Sequence, residues 1–225
     1  MSEPKKPSYA ELRVQYSHQT LEESDLAAAP LAQFEKWFSE AVAAELPEPN
    51  AMAVATVNAD GQPAVRHVLL KQADDRGFVF YTNYESRKGK SIAVNPKVSL
   101  VFPWFSIFRQ VIVVGRAERV SREESLEYFN SRPHGSRIGA VVSAQSSLLT
   151  SRDDLDAQWK ELEAKYPEEV PLPDHWGGYV VIPESIEFWA GRQSRLHDRL
   201  QYVFTGSGAV SLSDASQWRV QRLAP

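Results

Sequence analysis

The sequence predicts an antiparallel β-barrel with peripheral helices, an α+β chain in which strands dominate. Three observations predict it. Strand-like runs follow one another through short turns, which favours antiparallel pairing because parallel neighbours need long crossovers. The helical segments lie between and around the strands rather than alternating with them one for one, which argues against a doubly wound sheet. Neither a G-x-G-x-x-G nor a G-x-x-x-x-G-K-[ST] loop occurs, so both common nucleotide-binding loops are missing from the sequence.

Each element has a local reason. Residues 1–8 read as a loose polar arm and residues 9–16 as a short helix, so residues 1–20 are set apart as an N-terminal arm and 21–225 as one domain. Pro30 suits a first helical turn, and Leu31, Phe34, Phe38 and Val42 recur at helical spacing until Pro47 and Pro49 end the run. Ala51–Val57 is rich in small and β-branched residues; Asp60-Gly61 marks a hairpin, with residues 64–70 as the partner strand. Residues 77–82 form a third strand after an Asp-Asp-Arg-Gly turn, and 86–94 a helix with a basic first turn. Residues 98–102 and 110–120 are two further strands. Ser121 with Glu124 is a capping box, opening a helix that stops at Arg132-Pro133. Another helix starts near Ser151 with the apolar stripe Leu155, Trp159, Leu162 and Tyr166, broken by Pro171 and Pro173. Strands resume over 179–182, 186–189, 200–204 and Trp218–Arg222.

Composition narrows the function. A chain of 225 residues is long enough for one sizeable domain with a core. Its net charge of −4 argues against a surface that coats nucleic acid. It has no cysteine, which excludes disulfides, thiolate catalysis and cysteine metal sites. The polar N-terminus has no apolar signal region and no run reaches membrane-spanning length, so the expectation is a soluble cytoplasmic protein without nucleic-acid or membrane partners. The five histidines (His18, His67, His134, His175 and His197) are scattered without metal-site spacing, so no metal is expected. There is no G-x-S-x-G elbow for hydrolase chemistry.

Cations nevertheless gather at the ends of apolar strands and helices. Arg66 and Lys71 bracket Val68, Leu69 and Leu70; Arg87 and Lys88 open a helix; Arg132 closes one and Arg137 follows; Arg195, His197 and Arg199 alternate near the C-terminus. Any one of these is ordinarily solvated surface charge, but four such clusters in an acidic chain favour a small phosphorylated ligand. The amides after Ser86 could add donors. In an extended backbone Arg195, His197 and Arg199 would share a face, either around an anion or as an exposed basic strand edge. Trp104, Trp176 and Trp189 could stack on a ring system, although packing in a core is the commoner use of tryptophan.

These residues sit in motifs that resemble the pyridoxine/pyridoxamine 5'-phosphate oxidase family across residues 12–225. The motifs are Arg66-His-Val-Leu-Leu-Lys71, Phe80-Tyr-Thr-Asn83, Ser86-Arg-Lys88, Phe102-Pro-Trp104, Arg109-Gln110, Tyr128-Phe-Asn-Ser-Arg-Pro133, Gln145-Ser146 and Trp176-Gly-Gly178. Glu187-Phe-Trp189, Arg195-Leu-His-Asp-Arg199 and the ending Arg222-Leu-Ala-Pro225 complete the set. The resemblance implies an FMN-binding split β-barrel working as a homodimer, with FMN between subunits. It implies that Arg66 and Lys88, with Arg87, hold the FMN phosphate, and that the Val68, Leu69, Leu70 and Lys71 stretch, Tyr81, Thr82, Gln110, Gln145, Ser146, Trp189 and Arg199 line the rest of that site. It implies that Lys71, Tyr128, Arg132 and Ser136 hold the substrate phosphate, that Arg195 and His197 face the reacting pyridine ring, and that Arg13 and Tyr16 in the arm help cover the substrate. The implied reaction is oxidation of pyridoxine or pyridoxamine 5'-phosphate to pyridoxal 5'-phosphate, with molecular oxygen as acceptor, releasing hydrogen peroxide, and ammonia from the amine. The rivals are a flavin- or heme-binding split barrel without catalysis, and a split-barrel redox enzyme for another substrate; the Lys71, Tyr128, Arg132 and Ser136 set and the Arg195/His197 pair discriminate against both. Residues 105–108 are more apolar than the family's usual loop, and strict alternation puts Arg66 and Lys71 on opposite strand faces.

Overall fold

The computed structural model describes residues 8–12, 15–16 and 20–225. Residues 9–11 form a turn, and no helix occurs among the described residues of the 9–16 segment; Arg13 and His18 lie outside the described residues.

The strands are Ala51–Val57 (β1), Pro63–Leu69 (β2), Gln72–Asp74 (β3), Gly77–Asn83 (β4), Lys97–Trp104 (β5), Arg109–Arg119 (β6), Trp176–Ala190 (β7), Asp198–Phe204 (β8) and Trp218–Arg222 (β9). All pairings are antiparallel, in the order β2-β1-β5-β6-β7-β4-β3, with β8 pairing β7 and β9. The β1–β2 hairpin turns where the sequence predicts, with Gly61 at φ +81° and the Asn58 carboxamide oxygen accepting from the amides of Asp60 and Gln62.

Two strand segments expected over 179–182 and 186–189 are one 15-residue strand, β7. It pairs with β6 along most of its length, with β4 through residues 176–181 and with β8 through residues 185–190. The change of neighbour falls at Pro183, beside a register shift against Val114 and Gly115 of β6. Proline has no N–H for a ladder, so the strand survives it only at such a bulge. This is where the sheet splits: one curled sheet serves two different edges.

Helix Pro30–Ala43 (α1) covers the barrel interior. Its buried face is Gln33, Phe34, Trp37 and Ala41, so the expected stripe is rotated and Val42 is 50% exposed. Phe34 meets Phe78 and Phe102 with ring centroids 4.9 and 5.0 Å apart, and Trp37 meets Phe188 at 5.1 Å. Gln33 lies on the inner face with its side-chain oxygen accepting from the Ala27 amide at 2.9 Å, while its Nε2 is buried without a partner. Trp104 belongs to this core, its indole N–H donating to the Pro49 carbonyl, which agrees with packing rather than ligand stacking.

Helix Arg87–Val94 (α2) follows β4, and Arg122–Ser131 (α3), His134–Val142 (α4) and Arg152–Lys165 (α5) stand between β6 and β7. Ser86, Ser121 and Ser151 each accept from an amide three residues on, as N-caps should. The capping box at Ser121 is one-sided, because the Glu124 carboxylate is taken by Arg76. Helix α4 was not visible in the sequence: it follows Pro133 directly and has no polar N-cap side chain. Phe129 and Ile138 pack with Trp176 into a second small core.

Candidate functional site

The predicted site residues fall into two separate groups. The first surrounds a cleft of about 470 Å³ between the end of β2, β4, α2 and α4. Lys88 lies in the first turn of α2 and is 8% exposed. Its ammonium donates to Thr82 Oγ1 at 3.0 Å and to Gln145 Oε1 at 2.8 Å. Arg66, half-buried on β2, donates to the Val54 carbonyl at 3.1 Å and to Thr56 Oγ1 at 2.9 Å. Burial, with Arg66 close by, pushes Lys88 down to about 8. Burial and Arg87 likewise depress Arg66. Arg87 itself is exposed.

Val68, Leu69, Lys71, Tyr81, Thr82, Lys88, Arg132, Ser136 and Gln145 all line this cleft. Tyr128 stands just behind it, stacked on Tyr81 at 4.0 Å, with the Lys71 ammonium 5.9 Å from its ring. The Arg132 guanidinium lies 4.8 Å over Trp176, and its Nη1 is buried without a hydrogen-bond partner. Trp176 is therefore both a core residue and the floor under a cation. Among the described residues, no carboxylate lies within ion-pairing distance of Arg66, Lys71, Arg87, Lys88 or Arg132. Lys88 is buried and Arg66 and Arg132 half-buried without a counter-charge, one of them carrying an unsatisfied donor, an arrangement that can receive an anion.

Arg66 and Arg87 stand close to Lys88 without lining the cleft, and Leu70 and Ser146 sit farther from it. Leu70 packs in the main core, its backbone bonded both ways to Asn50. Ser146, with φ +73°, is exposed on the neighbouring groove beneath residues 143–150.

The second group lies across the split end of the sheet. Register sets Gln110 of β6 opposite Trp189 of β7, and Trp189 opposite Arg199 of β8. The His197 ring is 4.5 Å from Trp189, and Tyr16 meets His197, Trp189 and Phe108 edge-on at 5.3, 5.8 and 5.2 Å. Arg195 is exposed and lines a groove with Leu12, Gln15, Tyr16 and Arg192.

The extended segment expected at Arg195, His197 and Arg199 is not there. Residues Gln193–Arg195 form a 3-10 turn with Ser194 at φ +57° and Arg195 at φ +63°, and β8 begins only at Asp198. Left-handed residues break the two-residue alternation, so the three groups part company. Arg195 goes to the groove, His197 packs on Trp189, and Arg199 forms a two-pronged pair with Glu187 at 2.7 and 2.9 Å. That pair raises Arg199 further above the usual arginine range.

His197 Nδ1 accepts the Arg192 amide at 3.1 Å. Burial, then the Arg195 charge, lowers its pKa from the ordinary 6.5. At neutral pH the ring is therefore neutral with its proton on Nε2, which makes it a donor on its free side. Arg192, Asp198 and Glu187, which organise this end, were not singled out in the sequence. Asp198 and Glu187 stand inside conspicuous motifs, but a carboxylate there gives no local sign of which cation it will meet. The cleft and the Arg195 groove have no lining residue in common.

Among the described residues, no cluster of His, Asp and Glu could hold a metal ion, and no helix is long and apolar enough to cross a membrane. Comparison with known proteins gives a consistent result. The family model for pyridoxamine 5'-phosphate oxidase matches residues 38–172, and that for the pyridoxine 5'-phosphate oxidase C-terminal dimerisation region matches residues 176–225. The chain is 53% identical over 216 residues to a pyridoxine/pyridoxamine 5'-phosphate oxidase from Burkholderia vietnamiensis, covering 96% of this chain and 98% of that protein. It is 50% identical over 222 residues to one from Streptomyces avermitilis, covering 96% of each. Among solved structures, PhzG from Burkholderia lata in complex with tetrahydrophenazine-1-carboxylic acid superposes with a TM-score of 0.84 at 29% identity, over 94% of this chain and all of that one. A pyridoxamine 5'-phosphate oxidase-related, FMN-binding protein from Nostoc punctiforme shares the fold, with a TM-score of 0.69 at 14% identity over 85% of this chain and 97% of that one.

Proposed function

The chain belongs to the pyridoxine/pyridoxamine 5'-phosphate oxidase family, and on that premise we propose that it oxidises pyridoxine or pyridoxamine 5'-phosphate to pyridoxal 5'-phosphate in the cytoplasm, as a homodimer. The observation that carries this reading is the set of half-buried cations without carboxylate partners around the cleft. One phosphate dianion would stabilise the Lys88 charge that burial opposes, and a second would satisfy the orphaned Arg132 donor.

The residues fit FMN. Arg66 and Lys88, with Arg87 at the rim, would hold its phosphate, and Thr82 and Gln145 already hold the Lys88 ammonium in place. Val68, Leu69 and Lys71, Tyr81, Gln110, Ser146, Trp189 and Arg199 would line the remainder, with Leu70 supporting the stretch from the core. FMN, when bound, supplies the two-electron acceptor and passes the electrons on to molecular oxygen, giving hydrogen peroxide. Lys71, Tyr128, Arg132 and Ser136 would hold the substrate phosphate. Arg195 would hold the pyridine ring and counter negative charge near the reacting carbon. His197 would donate from Nε2 and orient the ring rather than remove a proton. Arg13 and Tyr16 would cover the substrate from the N-terminal arm. Because one chain keeps the phosphate cleft and the Arg195 groove apart, we assign each complete site to two protomers, one giving the cleft and the other the Arg195/His197 end.

The test is direct. The purified protein should be yellow, carry FMN, and release one peroxide per pyridoxal 5'-phosphate formed from either substrate. The unphosphorylated alcohol should be turned over far more poorly. A protein that binds flavin but forms no aldehyde from either phosphate would sink the reading.

A further inference from the structure

Asp198 opens β8 between His197 and Arg199 and is 5% exposed. Its carboxylate gathers three segments, two of them distant in sequence. The Leu21 amide donates to it at 3.0 Å, Arg192 Nη1 at 3.3 and 3.4 Å, and Arg222 Nη1 at 2.9 Å. Arg222 in turn is held by Glu22 and Glu23 and donates to the Leu21 carbonyl. A buried carboxylate with this many charge-assisted partners is a fixed point. Beside it runs a loop that needs fixing: Ser194 and Arg195 are consecutive left-handed residues without being glycine, a conformation that persists only where the surroundings over-determine it. Arg192 ties the two together. Its side chain is on Asp198, and its backbone amide occupies His197 Nδ1.

We propose that Asp198 is a positioning residue for the reacting-ring end of the site: through Arg192 it holds His197 as the Nε2-protonated tautomer and keeps Arg195 turned into its groove. The consequence for turnover rests on the function proposed above; the consequence for the His197 tautomer does not. Asp198 touches no reacting atom in this scheme. It acts on substrate affinity by setting which nitrogen His197 presents and where Arg195 stands.

Two variants and two readouts test this. Asp198→Asn preserves size and an acceptor for the Leu21 amide but removes the charge that holds both guanidiniums. Arg192→Ala removes only the link to the loop and leaves the Leu21–Asp198–Arg222 anchor, so it decides the matter if Asp198→Asn fails to fold. Nitrogen chemical shifts of 15N-histidine-labelled protein should report a single Nε2-protonated tautomer for His197 in the wild type and a mixture in both variants. The Michaelis constant for pyridoxine 5'-phosphate should rise roughly tenfold, the scale of a lost charge-assisted contact, with turnover changed less than about threefold and flavin content unchanged. Asp198→Glu, which keeps the charge, should recover much of the affinity. An unaltered tautomer in both folded variants overturns the proposal, and so does a loss confined to turnover or thermal stability. If the wild type is inactive on the phosphates, the tautomer measurement still decides the role of Asp198, and the proposed function alone fails.

Discussion

Lys88 donates its ammonium proton to Gln145 at 2.8 Å, joining the first turn of α2 to the stretch that follows α4. The contact fixes a buried cation whose proton is only loosely held, since burial first and Arg66 second bring its pKa to about 8. In the ligand-free protein the group is charged below about pH 8 and neutral above it. Binding a phosphate dianion requires the charged form. FMN affinity of the apoprotein should therefore be flat at neutral pH and fall by about tenfold per unit once pH is well above 8, because binding must then take up a proton. Lys88→Arg should remove this dependence, and Lys88→Met should bind weakly at every pH. Flavin fluorescence titration between pH 6.5 and 10 measures it.

Lys71 and Arg132 carry a different phosphate in the proposed site. Changing either to Ala should remove a charge-assisted contact of about 1.5–3 kcal/mol, hence roughly tenfold or more in substrate affinity, with bound flavin retained. Flavin loss at unchanged substrate affinity would show that the two phosphate sites had been exchanged.

A site shared between protomers has a signature that no single-chain site has. Arg132→Ala damages the cleft and Arg195→Ala the opposite end. Each homodimer should be impaired at both sites, whereas a hybrid of the two has one intact site and one doubly damaged. Random exchange of subunits should restore roughly a quarter of wild-type activity, half the dimers being hybrid with one working site each. Mixed subunits no more active than the parents would place each site within one chain.

The Arg195 and His197 side chains should separate by kinetics. Arg195→Ala should lower turnover as well as raise the Michaelis constant, with FMN content near wild type. His197→Ala should weaken substrate binding more than it slows anaerobic flavin bleaching at saturating substrate. Because the His197 pKa lies below the ordinary value of 6.5, its contribution should persist from neutral to alkaline pH. It should be lost only on acidification, when a proton on Nδ1 displaces the Arg192 amide. Wild-type bleaching and binding in both variants would make the two residues structural.

Much of the barrel was legible in the chain itself. β1 and β9 begin and end where their composition says, and the caps at Ser86, Ser121 and Ser151 open their helices, because strand runs, turns and N-caps are set by neighbours a few residues apart. That Lys71, Lys88 and Arg132 are cations at the ends of strands and helices was legible too, but that they line one cleft was not, because it rests on the packing of α2 and α4 against the end of β2. What the sequence could not reveal depends on contacts between distant residues. Continuity of β7 through Pro183 needs the bulge against β6, and the rotation of α1 onto Phe34 and Trp37 follows from the aromatic rings it meets on β4, β5 and β7. The strongest local signal, alternating Arg195, His197 and Arg199, misled because alternation means a shared face only in extended chain. Tertiary structure bends residues 193–195 into a left-handed turn, gives Arg199 to Glu187 twelve positions away, and ties the loop to Leu21 and Arg222 through Asp198. The sequence alone determined which side chains were available for the chemistry; long-range pairing decided which of them meet, because a buried charge takes whatever partner the fold brings within reach.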